Sequence, residues 1–144
     1  IKSLKNEGYV LIGLYNKIGR IRTVIRRYMI KIFGLRYLDI FDPTLRNLKK
    51  SDEEKKAWIR DQYMHPIEST HTLDEVLSWF NKNNIQFISS VPSCDFDENY
   101  DILFEKKSKG TLISRLFNQF LMIFNNIGSD GGLFVVIGKK NEKN

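Results

Sequence analysis

Gly8-Tyr-Val-Leu-Ile-Gly-Leu-Tyr15 is a short run of apolar, β-branched and aromatic residues introduced by Asn6-Glu7-Gly8. Its length and its flanking turn residues predict a strand over about 9–15. The apolarity is continuous rather than alternating, the pattern of a strand covered by helices on both faces of a parallel sheet. An α/β architecture is therefore expected.

The segments that follow keep to that architecture. Ile18, Ile21, Ile25, Tyr28, Met29 and Ile32 recur at helical spacing, with Arg20, Arg27 and Lys31 on the other side, up to a stop at Gly34. Ser51-Asp-Glu-Glu54 and Thr72-Leu-Asp-Glu75 are capping boxes. They predict helices over about 51–63 and from Thr72 to Asn83-Asn84, the latter with Leu73, Val76, Leu77 and Phe80 as its apolar stripe. Ile85-Gln-Phe-Ile-Ser-Ser-Val91 reads as a strand closed by Pro92. Residues 93–109 read as a loop with a short extended piece at 102–104. Leu112, Leu116, Phe120 and Ile123 mark one side of a further helix over about 112–124. Gly128-Ser-Asp-Gly-Gly132 turns the chain into a last strand at 133–137, and residues 139–144 read as a frayed tail.

With 144 residues the chain is long enough for one core and too short for two. A hydrophobic share of 42% beside a charged share of 28% excludes a disordered chain. No apolar run reaches the roughly 18 residues of a membrane span. The lone Cys94 rules out an intrachain disulfide and suits a reducing compartment, so a cytoplasmic setting is expected. The net charge of +6 resides in residues 17–36, where Lys17, Arg20, Arg22, Arg26, Arg27, Lys31 and Arg36 stand with no acid. Three strands make a thin sheet, and the sequence opens on Ile1. Both suggest a chain that starts mid-protein, the remaining strands lying upstream or on a partner chain.

Leu4-Lys-Asn-Glu-Gly-Tyr-Val-Leu-Ile-Gly-Leu-Tyr15 resembles the passage into the fifth strand of class I S-adenosylmethionine-dependent methyltransferases. Thr72–Asn83, Ile85–Val91 and Gly131-Gly-Leu-Phe-Val-Val-Ile-Gly-Lys139 resemble that family's last helix, sixth strand and antiparallel seventh strand. Gly13-Leu-Tyr-Asn16 with Gly19-Arg20, then Asp61-Gln-Tyr63, His65-Pro66, Glu68 and His71-Thr72, is similar to a branch of the type 11 or 12 kind. The likeness spans essentially the whole chain. It implies the C-terminal part of a Rossmann-like, seven-stranded methyltransferase fold. Residues 1–144 would be a single partial domain on the substrate side, with a helical insertion over about 17–64. Strands 9–15 and 85–91 would then be parallel, with 133–137 antiparallel between them. The family's cofactor half has a glycine-rich turn after the first strand and an acid ending the second, and neither is in this sequence. S-adenosylmethionine would be bound by the complete enzyme, and no cofactor-binding residue is expected here.

Ligands of open α/β sheets bind beyond the carboxyl ends of parallel strands, which nominates Tyr15 and Asn16. Arg20 lies nearest that strand end within the basic helix. That helix would draw an anionic methyl acceptor, such as a phosphate, a carboxylate or nucleic acid. Asn16 ending a strand is equally a turn-former, and the arginines equally a solvated face. The dense polar stretch at 61–72, DQYMHPIESTHT, has three readings. One is a pocket in which His65 accepts a proton while Tyr63, Glu68 and His71 bind substrate. Another is a polar loop leading to the Thr72 cap. The third, a metal on His65, Glu68 and His71, matches no standard zinc spacing, and no metal is expected. The alternative in another functional class is a non-enzymatic basic module that binds nucleic acid or an acidic surface through residues 17–36.

Overall fold

The computed structural model describes residues 4–34, 51–64, 68–96, 103–124 and 132–141. Contacts divide the chain into two compact units, Ile1–Arg20 with Ser69–Asn144, and Ile21–Glu68.

The first unit is built on a four-stranded mixed sheet in the order β2-β1-β4-β3. Its strands are β1 (Tyr9–Asn16), β2 (Thr70–His71), β3 (Ile85–Val91) and β4 (Leu133–Lys140). Strand β4 is antiparallel to both β1 and β3, so those two run parallel with the last strand between them, as expected. Strand β2 adds a short parallel pairing, Tyr15 with Thr70 and Asn16 with His71. The last strand runs on through Lys139 and Lys140, where the sequence suggested a frayed tail, because Lys140 exchanges hydrogen bonds with Gly8 and Glu7. The glycine cluster at 128–131 lies outside the described residues.

Helix α3 (Leu73–Lys82) covers one face of the sheet. Thr72 caps it, its hydroxyl accepting from Glu75 N while the Glu75 carboxylate accepts from Thr72 N. Leu73, Val76, Leu77 and Phe80 are buried against Ile85, Phe87, Phe134 and Val136, and Val10, Ile12 and Leu14 pack around this core. At Gly138 there is no room for a side chain, since a Cβ there would lie 2.5 Å from Ile85 Cγ2 in β3 and 2.6 Å from Phe80 in the helix. In β3 the register slips between Phe87 and Ser89, a bulge at which the Ile88 carbonyl accepts from Lys107 N.

Two further expectations are corrected. Strand β1 is not covered on both faces: Val10, Ile12 and Leu14 face the core, whereas Tyr9 and Leu11 are exposed, Leu11 at 60%. Among the described residues its outer edge is open apart from that short pairing with β2. Asn16 N donates to Gly132 O and Lys140 N to Gly8 O, so even-numbered residues bond to β4 and the N–H and C=O groups of Tyr9, Leu11 and Gly13 point away from it. Among the described residues β2 reaches only Tyr15 and Asn16 of that edge. The extended piece expected at 102–104 is a turn at Leu103 and Phe104; residue 102 is outside the described set.

Helix α4 (Leu112–Leu121) turns its apolar side outward. Leu112, Leu116 and Phe120 are exposed, while Ser114 and Gln119 are buried. Polar anchors decide the orientation. Gln119 Oε1 accepts from Asn16 Nδ2 (2.8 Å) and from Leu73 N (3.0 Å). Asn118 Nδ2 donates to the carbonyls of Ser93 and Asp95, and Ser114 Oγ to that of Cys94. Arg115 reaches Asp74 at 2.7 Å and donates to the carbonyls of Lys109 and Gly110.

In the second unit α1 (Ile21–Phe33) ends before Gly34, whose φ of +75° suits a helix-stopping glycine. Helix α2 (Asp52–Tyr63) starts at the Ser51 capping box read from the sequence. The apolar stripe of α1 is also outward: Ile21, Ile25, Tyr28 and Ile32 are exposed, whereas Thr23 is buried and Arg27 is ion-paired with Glu68. A helix that turns Thr23 and Arg27 inward must turn the opposite side out.

Candidate functional site

The carboxyl end of β1 gathers four of the residues singled out in the sequence. Tyr15 and Asn16 close the strand, Arg20 follows one turn later, and His71 pairs with Asn16 from β2. The turn between them is made by Asn16, whose Oδ1 accepts from Ile18 N (2.9 Å) and Gly19 N (3.0 Å). With its Nδ2 on Gln119, the amide has partners at both ends, and the side chain is fully buried rather than facing a crevice. Asn16 therefore holds the turn and α4 in place. Beside it is a cavity of about 10 Å³, lined among others by Ser93, Asn118 and Gln119, with room for one water at most.

Arg20 is buried, its guanidinium 4.0 Å from the centre of the Tyr15 ring, a cation–π contact. His71 is half-buried. Its Nδ1 lies 3.0 Å from Glu75 Oε2 and its ring meets Trp79 edge-on at 4.9 Å, while its carbonyl accepts from Lys17 N. The hydrogen bond from His71, joined by that from the Thr72 N–H, holds the Glu75 carboxyl below the usual carboxylate range. When His71 Nδ1 carries its proton toward Glu75, neutral imidazole keeps an unshared pair at Nε2 and can accept a proton there. The sequence reading missed Glu75 as this partner, although its position four residues beyond His71 was visible. Gln119 left no comparable signal.

Tyr63 and Glu68 belong to the other unit. Tyr63 lines a cavity of about 560 Å³ together with Arg27, Tyr28, Lys31 and Met64, within the range of small-molecule pockets. Glu68 pairs with Arg27, and Lys31 Nζ is 5.8 Å from the Tyr28 ring. His65, the candidate base, lies outside the described residues. Among the described residues no group of three or more His, Cys, Asp or Glu side chains could hold a metal ion, and no helix is long and apolar enough to cross a membrane. Cys94 is buried, and burial pushes its thiol up to about 11, so at neutral pH it is a packed, protonated side chain 3.2 Å from Ser90 Oγ.

No protein-family model, no curated protein and no solved structure matches the chain.

Proposed function

We propose that this chain forms the substrate-side part of a class I S-adenosylmethionine-dependent methyltransferase, which transfers a methyl group to an O, N or C nucleophile. The observation that carries the proposal is the strand arrangement, two parallel strands with the latest strand antiparallel between them. In the family that arrangement belongs to the fifth, seventh and sixth strands. The edge of Tyr9, Leu11 and Gly13, which no strand pairs among the described residues, supports the same reading, because the rest of a seven-stranded sheet would continue from there.

On this reading the cofactor would be held by the upstream half of the fold. This chain has no glycine-rich strand-to-helix turn and no acid ending a second strand. What its own residues supply is acceptor-side chemistry. His71, oriented by Glu75, would take the proton that a hydroxyl or amine nucleophile loses as it is methylated.

Titration calorimetry tests the proposal. This chain should give no saturable heat with S-adenosylmethionine, whereas a longer chain carrying the upstream residues should bind it. Micromolar binding by this chain alone would refute the division into halves. A longer chain that does not bind the cofactor would refute the methyltransferase. In an active longer chain His71→Ala should lower turnover by about 10²-fold, whereas Glu75→Gln, which keeps the imidazole, should lower it far less.

A further inference from the structure

The sequence treats the two edges of the sheet differently. At the β3 edge the register slips between Phe87 and Ser89, the Ile88 carbonyl accepts from Lys107 N, and Ser89 Oγ donates to the Leu103 carbonyl. At the other edge Tyr9-Val-Leu-Ile-Gly13 has no charge and no proline, and its register with β4 runs unbroken from Tyr9 to Tyr15. Bulges, edge charges and prolines are the devices by which sheets keep foreign strands away. Tyr9–Gly13 has none of them, and among the described residues nothing pairs with the outward N–H and C=O groups of Tyr9, Leu11 and Gly13. Leu11 and Tyr9 are exposed beside these groups, at 60% and 48%. Phe104, also exposed, continues the apolar surface, its ring 5.2 Å from that of Tyr9.

Unpaired ladder groups accept another strand, and the limits of the edge select which one. At one end β2 already pairs with Tyr15 and Asn16. At the other the chain turns, Glu7 having a φ of +58° and Gly8 N donating to Lys5 O. A second copy of the chain, laid antiparallel about a twofold axis at Leu11, meets both limits. Tyr9 then faces Gly13 of the copy and Leu11 faces Leu11, each pair exchanging two hydrogen bonds, so that every open group is satisfied. Where the copy would run into β2, its chain has already turned away at Glu7. A slip of two residues one way sets Tyr9 against Tyr15 of the copy, which β2 holds, and the other way sets Gly13 against Glu7 in the turn. A slip of one aims the open groups at residues bonded to β4. The side chains agree with this register. Tyr9 meets a glycine, at which a Cβ would touch only Val135 Cγ2 at 3.9 Å. Val10 and Ile12, partly buried against the core, meet Ile12 and Val10 of the copy on the other face.

We propose that Tyr9–Gly13 is a self-association edge. Two copies pair their β1 strands antiparallel about Leu11 and join their four-stranded sheets into one. The proposal does not rest on the methyltransferase reading. An upstream strand in a longer chain would take the same edge in place of the copy, so it is this chain by itself that pairs.

The test is sedimentation velocity over a concentration series, in which the chain should dimerise reversibly. Leu11→Lys and Leu11→Glu, both at an exposed position, should each weaken association by about tenfold or more, because like charges meet at the axis. An equimolar mixture of the two variants should restore it, since opposite charges meet only when residue 11 faces its own copy. Leu11→Pro, which removes an outward N–H from an edge strand, should weaken association as the single charges do. A chain that stays monomeric up to about 0.5 mM would overturn the proposal. So would Leu11 variants that dimerise like the parent, or a mixture of the charged variants that stays monomeric where the parent dimerises. Association abolished by Phe117→Ser on α4 and untouched by the Leu11 variants would overturn it as well.

Discussion

Replacing Gln119 by alanine tests the orientation of α4 directly. The Gln119 carbonyl oxygen accepts from two buried donors, Asn16 Nδ2 at 2.8 Å and Leu73 N at 3.0 Å. Leaving a buried donor unpaired costs about 1–3 kcal/mol. Two orphans would cost roughly 2–6 kcal/mol, and a water entering the enlarged cavity beside Asn16 would satisfy part of the need. We expect a loss of about 3 kcal/mol, a large fraction of a domain's stability. Phe117→Ser, on the exposed side of the same helix, should change stability by no more than about 0.5 kcal/mol. Urea unfolding followed by the fluorescence of Trp79, in a Trp58→Phe background, reads the unit that contains the helix. The reasoning is refuted by the opposite ranking: a cost of about 3–5 kcal/mol for Phe117→Ser, as for a core phenylalanine, with Gln119→Ala near neutral.

Three further outcomes follow from local geometry. Thr72→Ala removes the hydroxyl that accepts from Glu75 N and should cost about 1 kcal/mol by the same urea assay. Glu75 has a carboxyl depressed below 4.5 in the fold, so its stabilising contribution is complete above about pH 4.5 and is lost as pH falls through the lower folded value. Glu75→Gln should therefore flatten the acid limb of the stability–pH curve, an effect reduced by salt because the carboxylate is exposed. Cys94 has a thiol raised from 9.0 to about 11, so its contribution is complete below pH 9 and fades as pH climbs toward 11. A disulfide reagent at pH 8 should label it only after urea is added.

Local signals in the sequence were faithful. The Ser51 and Thr72 capping boxes begin α2 and α3, and Ile85–Val91 is a strand along its whole predicted length, because each is decided by neighbours a few residues apart. The place of β4 between β1 and β3 came from the family likeness, not from periodicity. Which way a helix faces was illegible. Periodicity finds an apolar stripe, but the side facing inward on α4 is chosen by Asn16 and Leu73, which lie 103 and 46 residues from Gln119. Continuous apolarity in β1 was likewise misleading, since only one face met a helix. The site was legible in part: Tyr15, Asn16, Arg20 and His71 do share one strand end, yet Asn16 is taken up by the fold. The pairing of Glu68 with Arg27 spans 41 residues and no spacing rule announces it.

The place of β4 also fixes when this sheet can exist. Synthesis runs from the amino end, so β1 and β3 emerge well before Leu133, and neither pairs with the other in the finished sheet. Until the last strand leaves the ribosome, β1 and β3 must wait with their ladder groups hydrated and their apolar side chains uncovered. Closure then joins Tyr9 to Lys139, 130 residues apart, a contact of high order of the kind that slows assembly. A ribosome stalled anywhere before Leu133 would release a polypeptide with helices but no central strand to organise them.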